Sequence, residues 1–299
     1  MNITIRQLRA LLAVAQEGSI ANASEKLFLT RPAVSQTLQE LERQFGRKLF
    51  HRVSNRLILN SEGKQLLPYI DELIQRINQL ENFFSSNFEN YKNIKIGTTK
   101  TIGNYLLPGI LHQFHLDHGA GYPSFYIGST TDLCAKLQTT ELDIAIIESE
   151  VQDLSLMKRP WISDEMIVIA PPDTALGQSG PMEISDLEQQ SWVAREQGSG
   201  SREQFDFFLG HQLKHPRIAM EVNATEAVIS SVAHGIGLAF VSKIAADQAI
   251  ENRQVWALPM KNRFFRDFCI ATYNEKYIGS DLQVLLDYLS AYKERQAPH

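Results

Sequence analysis

Thr30-Arg31-Pro32-Ala33-Val34-Ser35-Gln36-Thr37-Leu38-Gln39-Glu40-Leu41-Glu42-Arg43-Gln44-Phe45-Gly46 reads as one amphipathic helix that carries its own start and stop. Thr30 is a capping residue, Pro32 suits the first turn, and Gly46 supplies a left-handed end. At about 100° per residue, Val34, Leu38, Leu41 and Phe45 fall within roughly 60° of one another and form an apolar face. Pro32, Gln36, Gln39 and Arg43 lie opposite, flanked by Arg31 and Ser35. Glutamine pairs bidentately with adenine and arginine with guanine in the major groove, while Ser35 and the helix start suit phosphate. A solvated face on an ordinary three-helix bundle has the same geometry, so the helix alone leaves both readings open.

Upstream, Thr4-Ile5-Arg6-Gln7 has capping-box spacing, and Leu8, Leu11, Leu12 and Ala15 share a face until Gly18. Ser19 can cap a short second helix whose Ala21, Ala23 and Ser24 allow close approach, with Phe28-Leu29 as the turn. Downstream, Arg47-Lys48-Leu49-Phe50-His51-Arg52 and Arg56-Leu57-Ile58-Leu59 flank Val53-Ser54-Asn55 as a basic-sided hairpin. Arg52 and Arg56 on such a wing would gain from the negative potential of phosphates or a minor groove.

Gly18-Ser19-Ile20 through Ala33-Val34-Ser35, then Leu41-Glu42, Phe45-Gly46, Lys48-Leu49-Phe50 and Arg52, resembles without gaps the winged helix-turn-helix of LysR-type transcriptional regulators. The resemblance implies a DNA-binding domain over residues 1–60, with a double-stranded DNA operator as partner. Arg31, Pro32, Ser35, Gln36, Gln39, Arg43, Arg52 and Arg56 are its candidate contacts. Arg31, where relatives often have Ser or Gln, and Ser24, where Ala is common, are departures, so the operator cannot be copied from a relative.

Charge agrees with a basic head on an acidic body. Residues 1–64 hold ten Lys/Arg against five Asp/Glu, while the remainder holds nineteen against twenty-nine. Cys134 and Cys269 are too few and too distant for a disulfide framework or thiolate zinc site, which favours a reducing cytoplasm. Neither a signal peptide nor an apolar span of about 18 residues is present in the 299-residue chain, so no membrane role is expected.

After Asn60, Leu66, Ile70, Leu73, Ile77, Leu80 and Phe84 recur at spacings of 4, 3, 4, 3 and 4. Such a seam must bury itself, either against a second subunit or on its own body. Pro68 removes one helical hydrogen bond within it. In the resembled family, the equivalent helix, here 61–91, dimerises the heads, so a homodimer to homotetramer is expected, with RNA polymerase a candidate further partner.

From residue 93, short apolar runs alternate with helical stretches, the pattern of α/β units with mostly parallel strands. Strands are expected at Ile94–Gly97, Phe125–Ile127, Glu141–Ile147, Met166–Ala170, Trp192–Ala194, Ile218–Val222, Leu238–Val241, Val255–Leu258 and Phe268–Thr272. This order resembles the family's two-lobed, periplasmic-binding-protein-like effector domain, here 92–299. Lobe one is expected at 92–161 and 268–299, and lobe two at 162–267.

Three hydroxyl-rich loops would face the cleft at the carboxyl ends of strands. They offer Thr99, Lys100 and Thr101, then Ser129 and Thr130, then Ser199, Ser201 and Arg202. Hydroxyls and backbone N–H groups at helix starts suit a small anionic or carboxylate effector, with Lys100, Arg195 and Arg202 as candidate charge partners. Gly103-Asn104-Tyr105-Leu106-Leu107-Pro108 and Arg195-Glu196 with Gly198–Arg202 resemble the branch governing inorganic sulfur or carbon dioxide assimilation. Gln197 and Ser201 depart from the Pro and Thr usual there.

Other constellations carry less. His112, His115 and His118 drift around a helix rather than converging as metal ligands, and Glu148, Glu150 and Asp153 lack a nucleophile or metal set. Gly235-Ile236-Gly237 follows a helix, not a first strand, so it is a turn rather than a dinucleotide fingerprint. Neither a cofactor nor an enzymatic activity is expected. The competing reading is a cytosolic solute-binding protein whose basic head is an adaptor.

Overall fold

A computed structural model describes residues 2–54, 56–81, 90–119, 121–148, 153–214 and 216–296; Asn55, Phe84 and Glu150 lie outside them. The head begins with helices α1 (Ile5–Glu17), α2 (Ile20–Lys26) and α3 (Arg31–Phe45). Thr4 and Gln7 form the reciprocal capping box, Gly18 ends α1 at φ 65°, and Ser19 and Thr30 cap their helices through Asn22 and Ala33. Hairpin strands β1 (Phe50–Val53) and β2 (Arg56–Leu59) pair antiparallel, Phe50 opposite Leu59 and Val53 opposite Arg56. Buried Glu42 joins α3 to this wing, accepting from the Leu49 N–H at 2.9 Å and from Lys48 Nζ at 2.7 Å.

Helix α4 (Ser61–Glu81) runs unbroken through Pro68. Its apolar residues divide between two faces instead of forming one seam. Leu67, Ile70 and Ile74 are buried against the α1 and α3 core, with Leu66 and Ile77 half-buried beside them. Leu73 at 49% and Leu80 at 72% remain exposed, together with Tyr69. The two stripes lie roughly 120° apart about the axis, so the heptad spacing straddles both. Ile70 therefore leaves the expected intersubunit seam because the head's own core takes it first.

The body follows as β3 (Lys95–Thr98), α5 (Lys100–Tyr105), α6 (Leu107–His118), β4 (Ser124–Ile127), α7 (Thr130–Gln138), β5 (Ile144–Glu148), β6 (Leu156–Ala170), β7 (Ser191–Arg195) and α8 (Gly200–Phe205). Then come β8 (Arg217–Val222), α9 (Thr225–Ala233), β9 (Ala239–Ser242), α10 (Lys243–Glu251), β10 (Trp256–Ala257), β11 (Phe264–Tyr273) and α11 (Ser280–Gln296). Strands β4, β3 and β5 are parallel neighbours, as are β7 and β8. The expected parallel predominance fails beyond them. Strands β9, β10 and β11 all pair antiparallel with β6.

Strands β6 and β11 are both longer than the sequence pattern indicates. They pair from Phe264 opposite Met166 to Tyr273 opposite Leu156, with an irregularity between Asp267 and Cys269. This ribbon carries the chain between two core regions. One gathers Ile96, Phe114, Ile146, Phe268 and Leu285 under α6 and α11; the other gathers Val168, Trp192, Phe205, Leu238 and Phe240. Both cysteines are free and buried.

Candidate functional site

On the head, Val34, Leu38 and Leu41 are buried, whereas Arg31, Pro32, Gln36, Gln39 and Arg43 are exposed and Ser35 is half-buried. The amide-bearing side of α3 therefore faces outward. Gln39 Nε2 donates to Ser35 Oγ at 3.4 Å, which aligns these two groups along the helix. Arg43 forms a bidentate pair with Glu40, at 2.6 and 2.9 Å. That pairing also holds the Glu40 carboxyl below its usual range. Arg52 and Arg56 are exposed on opposite strands of the wing, which is tied to the α1–α2 turn by Leu57 N–H donating to Gly18 O at 2.8 Å.

In the body, Thr99, Ser129 and Glu148 stand at or just past the carboxyl ends of adjacent strands β3, β4 and β5, where open α/β sheets place ligands. Thr99 and Thr101 are buried and join a polar cluster. Thr99 Oγ1 donates to Glu148 Oε1 at 3.1 Å, and Arg266 Nη2 donates to Thr101 Oγ1 at 3.1 Å. Arg266, 3% exposed, also pairs with Asp164 at 2.8 Å and with Glu148 at 3.4 Å. Burial raises the Asp164 carboxyl above its usual range, opposed by Arg266 and a bond from Ser242.

The other predicted residues are engaged differently. Lys100 Nζ donates to Asn223 O at 2.6 Å and lies 3.6 Å from Glu196. Arg195 grips Glu196 at 2.7 and 2.9 Å and donates to Thr225. Arg202 turns to Asp206 and Glu221, both at 3.0 Å. All three cations expected to await an anion thus already have carboxylate partners. Ser129 and Ser199 accept from Asp132 N–H and Arg202 N–H as helix caps, while Ser201 is buried. Across the cleft, Asn104 Nδ2 and Tyr105 Oη donate to Glu226 at 3.1 and 2.9 Å. Burial, then Glu226, pushes the Tyr105 hydroxyl upward, keeping it a donor.

Among the described residues no group of three metal-ligating side chains converges. His112 meets the Tyr122 hydroxyl, His115 stacks on Tyr122, and His118 stacks on Phe114. No described helix is long and apolar enough to cross a membrane. A cavity of about 600 Å³ lies away from the cleft, between α4 and the body, bordered by Gln16, Asp71, Gln75, Asp143 and Asp281.

Residues 5–64 match the family described as "Bacterial regulatory helix-turn-helix protein, lysR family", and residues 91–293 match the "LysR substrate binding domain". The chain belongs to the LysR family of transcriptional regulators. It is 32% identical to the uncharacterized HTH-type regulator YeiE of Escherichia coli (strain K12), over 96% of this chain and 97% of that protein. It is 26% identical to the RuBisCO operon transcriptional regulator of Allochromatium vinosum, over 87% and 86%. Full-length OxyR from Pseudomonas aeruginosa, solved as a cysteine-to-aspartate variant, shares the fold at TM-score 0.74 and 21% identity, covering 97% of this chain and 94% of that one. The regulatory domain of CcmR from Synechocystis PCC6803, solved with 2-PG, shares it at TM-score 0.62 and 22% identity, covering 68% and 98%.

As a LysR-type regulator the protein is not an enzyme. Arg266 is the cleft residue that sequence reading missed. Its signal is the alternation Phe264, Arg266, Phe268, three buried side chains separated by Phe265 and Asp267. Reading the strand as beginning at Phe268 hides it.

Proposed function

We propose that this LysR-type regulator reads its operator through Gln36, Gln39 and Arg31 of α3. Ser35, Arg43, Arg52 and Arg56 position the head on the phosphate backbone, and Pro32 lies beside them at the helix start. The observation that carries this is the division of α3, whose apolar side is locked into the head while its amide side is exposed. Two heads, paired through the exposed stripe of α4, would meet a partly palindromic site in a homodimer or homotetramer, with RNA polymerase as a further partner. The working compartment is the cytoplasm. Residues 1–60 form the DNA-binding unit, 61–91 the linker, and 92–299 the effector unit, with lobe one at 92–161 and 268–299.

The effector is a small anion or carboxylate held between the lobes near Thr99, Thr101 and Arg266. Ser129, Thr130, Ser199 and Ser201 are further hydroxyl donors, and Lys100 and Arg202 border the site. A buried arginine that donates to Thr101, beside the buried Thr99 at the carboxyl edge of the sheet, supports this reading. The ligand acts only through its different affinity for the two lobe arrangements, and DNA must reciprocally change ligand affinity.

Titration of the full-length protein into labelled DNA from upstream of its own gene tests the reading. A specific complex at moderate salt, shifted by an anion, is expected. No specific complex would favour the solute-binding alternative. Thr101→Ala should abolish any anion-induced thermal shift, and an unchanged shift would move the effector elsewhere.

A further inference from the structure

Two donors from separate elements converge on one oxygen atom in the cleft, and that oxygen belongs to the protein. Glu148, the last residue of β5, places Oε1 3.1 Å from Thr99 Oγ1 and 3.4 Å from Arg266 Nη1. Thr99 is the residue preceding α5, yet its side chain makes no capping bond. Its hydroxyl goes to the carboxylate instead. On the far side of the cleft stands Gly200, where a Cβ would lie 3.2 Å from the Glu148 carboxyl carbon. A side chain there would sit tight against the carboxylate, which would have to give way by a few tenths of an ångström.

Arg266 does not need Glu148 for charge balance. Asp164, whose side chain is fully buried, already meets the guanidinium at 2.8 Å and is fixed by Ser242 Oγ at 2.9 Å. Two carboxylates therefore share one buried guanidinium, and Glu148 holds it at the longer distance. The remaining cleft cations are committed elsewhere, Lys100 and Arg195 to Glu196 and Arg202 to Asp206 and Glu221. Glu148 is thus the second carboxylate on Arg266, seated where a guanidinium N–H and a threonine hydroxyl meet. That geometry suits an oxyanion.

We propose that Glu148 is the cleft's internal occupant: its carboxylate holds the anion position on the protein's own chain, and an anionic effector binds by displacing it. The proposal rests on the anionic-effector reading above and adds a competitor to it. A tethered competitor lowers the apparent affinity by the fraction of time the position is free, so it sets the effector concentration at which the regulator responds. It also makes ligand entry and the departure of the Glu148 carboxylate from beside Gly200 a single event. A structural brace with no competing role would instead leave affinity unchanged when its charge is removed.

Calorimetric titration of full-length protein with sulfate, sulfite, inorganic phosphate and glycolate, in a chloride buffer, decides the matter. Glu148→Gln keeps length and shape while removing the charge, and Glu148→Asp withdraws the carboxylate by one methylene. At least one of the four anions should bind Glu148→Gln tenfold or more tightly than wild type, with Glu148→Asp in between. Equal affinity within twofold, or weaker binding to both variants, overturns the competitor while leaving the anionic effector standing. Absence of binding by all four anions to all three proteins overturns the anionic effector and the competitor together. Should Glu148→Gln not fold, Glu148→Asp against wild type carries the same comparison.

Discussion

Lys276 reaches from the body to Asp71 on α4, Nζ to Oδ2 at 2.8 Å, and its side chain is 2% exposed. The same ammonium lies 2.8 Å from Asp143, which also accepts from the Lys95 N–H. Burial raises the Asp71 carboxyl above its usual range, opposed by Lys276. Arg76 over the Tyr277 ring at 4.6 Å and Gln16 donating to Thr140 O at 3.0 Å extend this junction. Linker helix and body thus meet around one buried cation, and the head joins the same junction through Gln16.

Breaking a buried ion pair by removing one partner costs about 3–5 kcal/mol, because the other charge stays buried unpaired. Lys276→Met should therefore lower the stability of the full-length protein by that order, read from urea unfolding. Adding Asp71→Asn should recover part of the loss. Additive losses would mean that the two residues are not coupled.

The split of α4 predicts two different phenotypes on one helix. Ile70→Ala empties a packed core position and should cost about 2–5 kcal/mol with dimerisation retained. Leu73→Glu alters an exposed position and should leave the melting temperature nearly unchanged while shifting sedimentation from dimer toward monomer. A Leu73→Glu dimer as tight as wild type would remove the exposed stripe from the interface.

Glu196 supplies a pH signature. The hydrogen bonds from Arg195 are the main cause that holds its carboxyl below the usual range, with Lys100 adding to them. Because the folded value is depressed, the contribution is present above the unfolded carboxyl value of about 4.3 and is lost as pH falls through the folded value. The melting temperature of Glu196→Gln should accordingly lie below wild type at neutral pH and converge with it on acidification. A constant difference across that range would deny Glu196 its ionic role.

The parts legible in sequence were those fixed by neighbours in the chain. Thr4 with Gln7, Gly18, Ser19, Thr30 and Gly46 each act within one helical turn, and each stands where its spacing placed it. Helix α4 was legible as a helix but not in its rotation, since periodicity shows that two apolar stripes exist without saying which neighbour takes each. The cleft was half legible. Thr99 and Thr101 precede or enter a helix after a strand, but Arg266 reaches Thr101 through pairing between β6 and β11, about a hundred residues apart. Glu148 stood out in sequence as one acid among several, because nothing local shows that Gly200 and Arg266 close around it.

DNA-binding anisotropy with Gln36→Ala, on operator and on shuffled duplex across a salt series, bears most directly on the regulator's reading of DNA through α3. Discrimination between the two duplexes should shrink by about 1–3 kcal/mol with the salt slope unchanged. Arg52→Ala should weaken both duplexes alike and flatten the slope by about one. An equal loss on operator and shuffled DNA for Gln36→Ala would contradict base reading by the exposed side of α3.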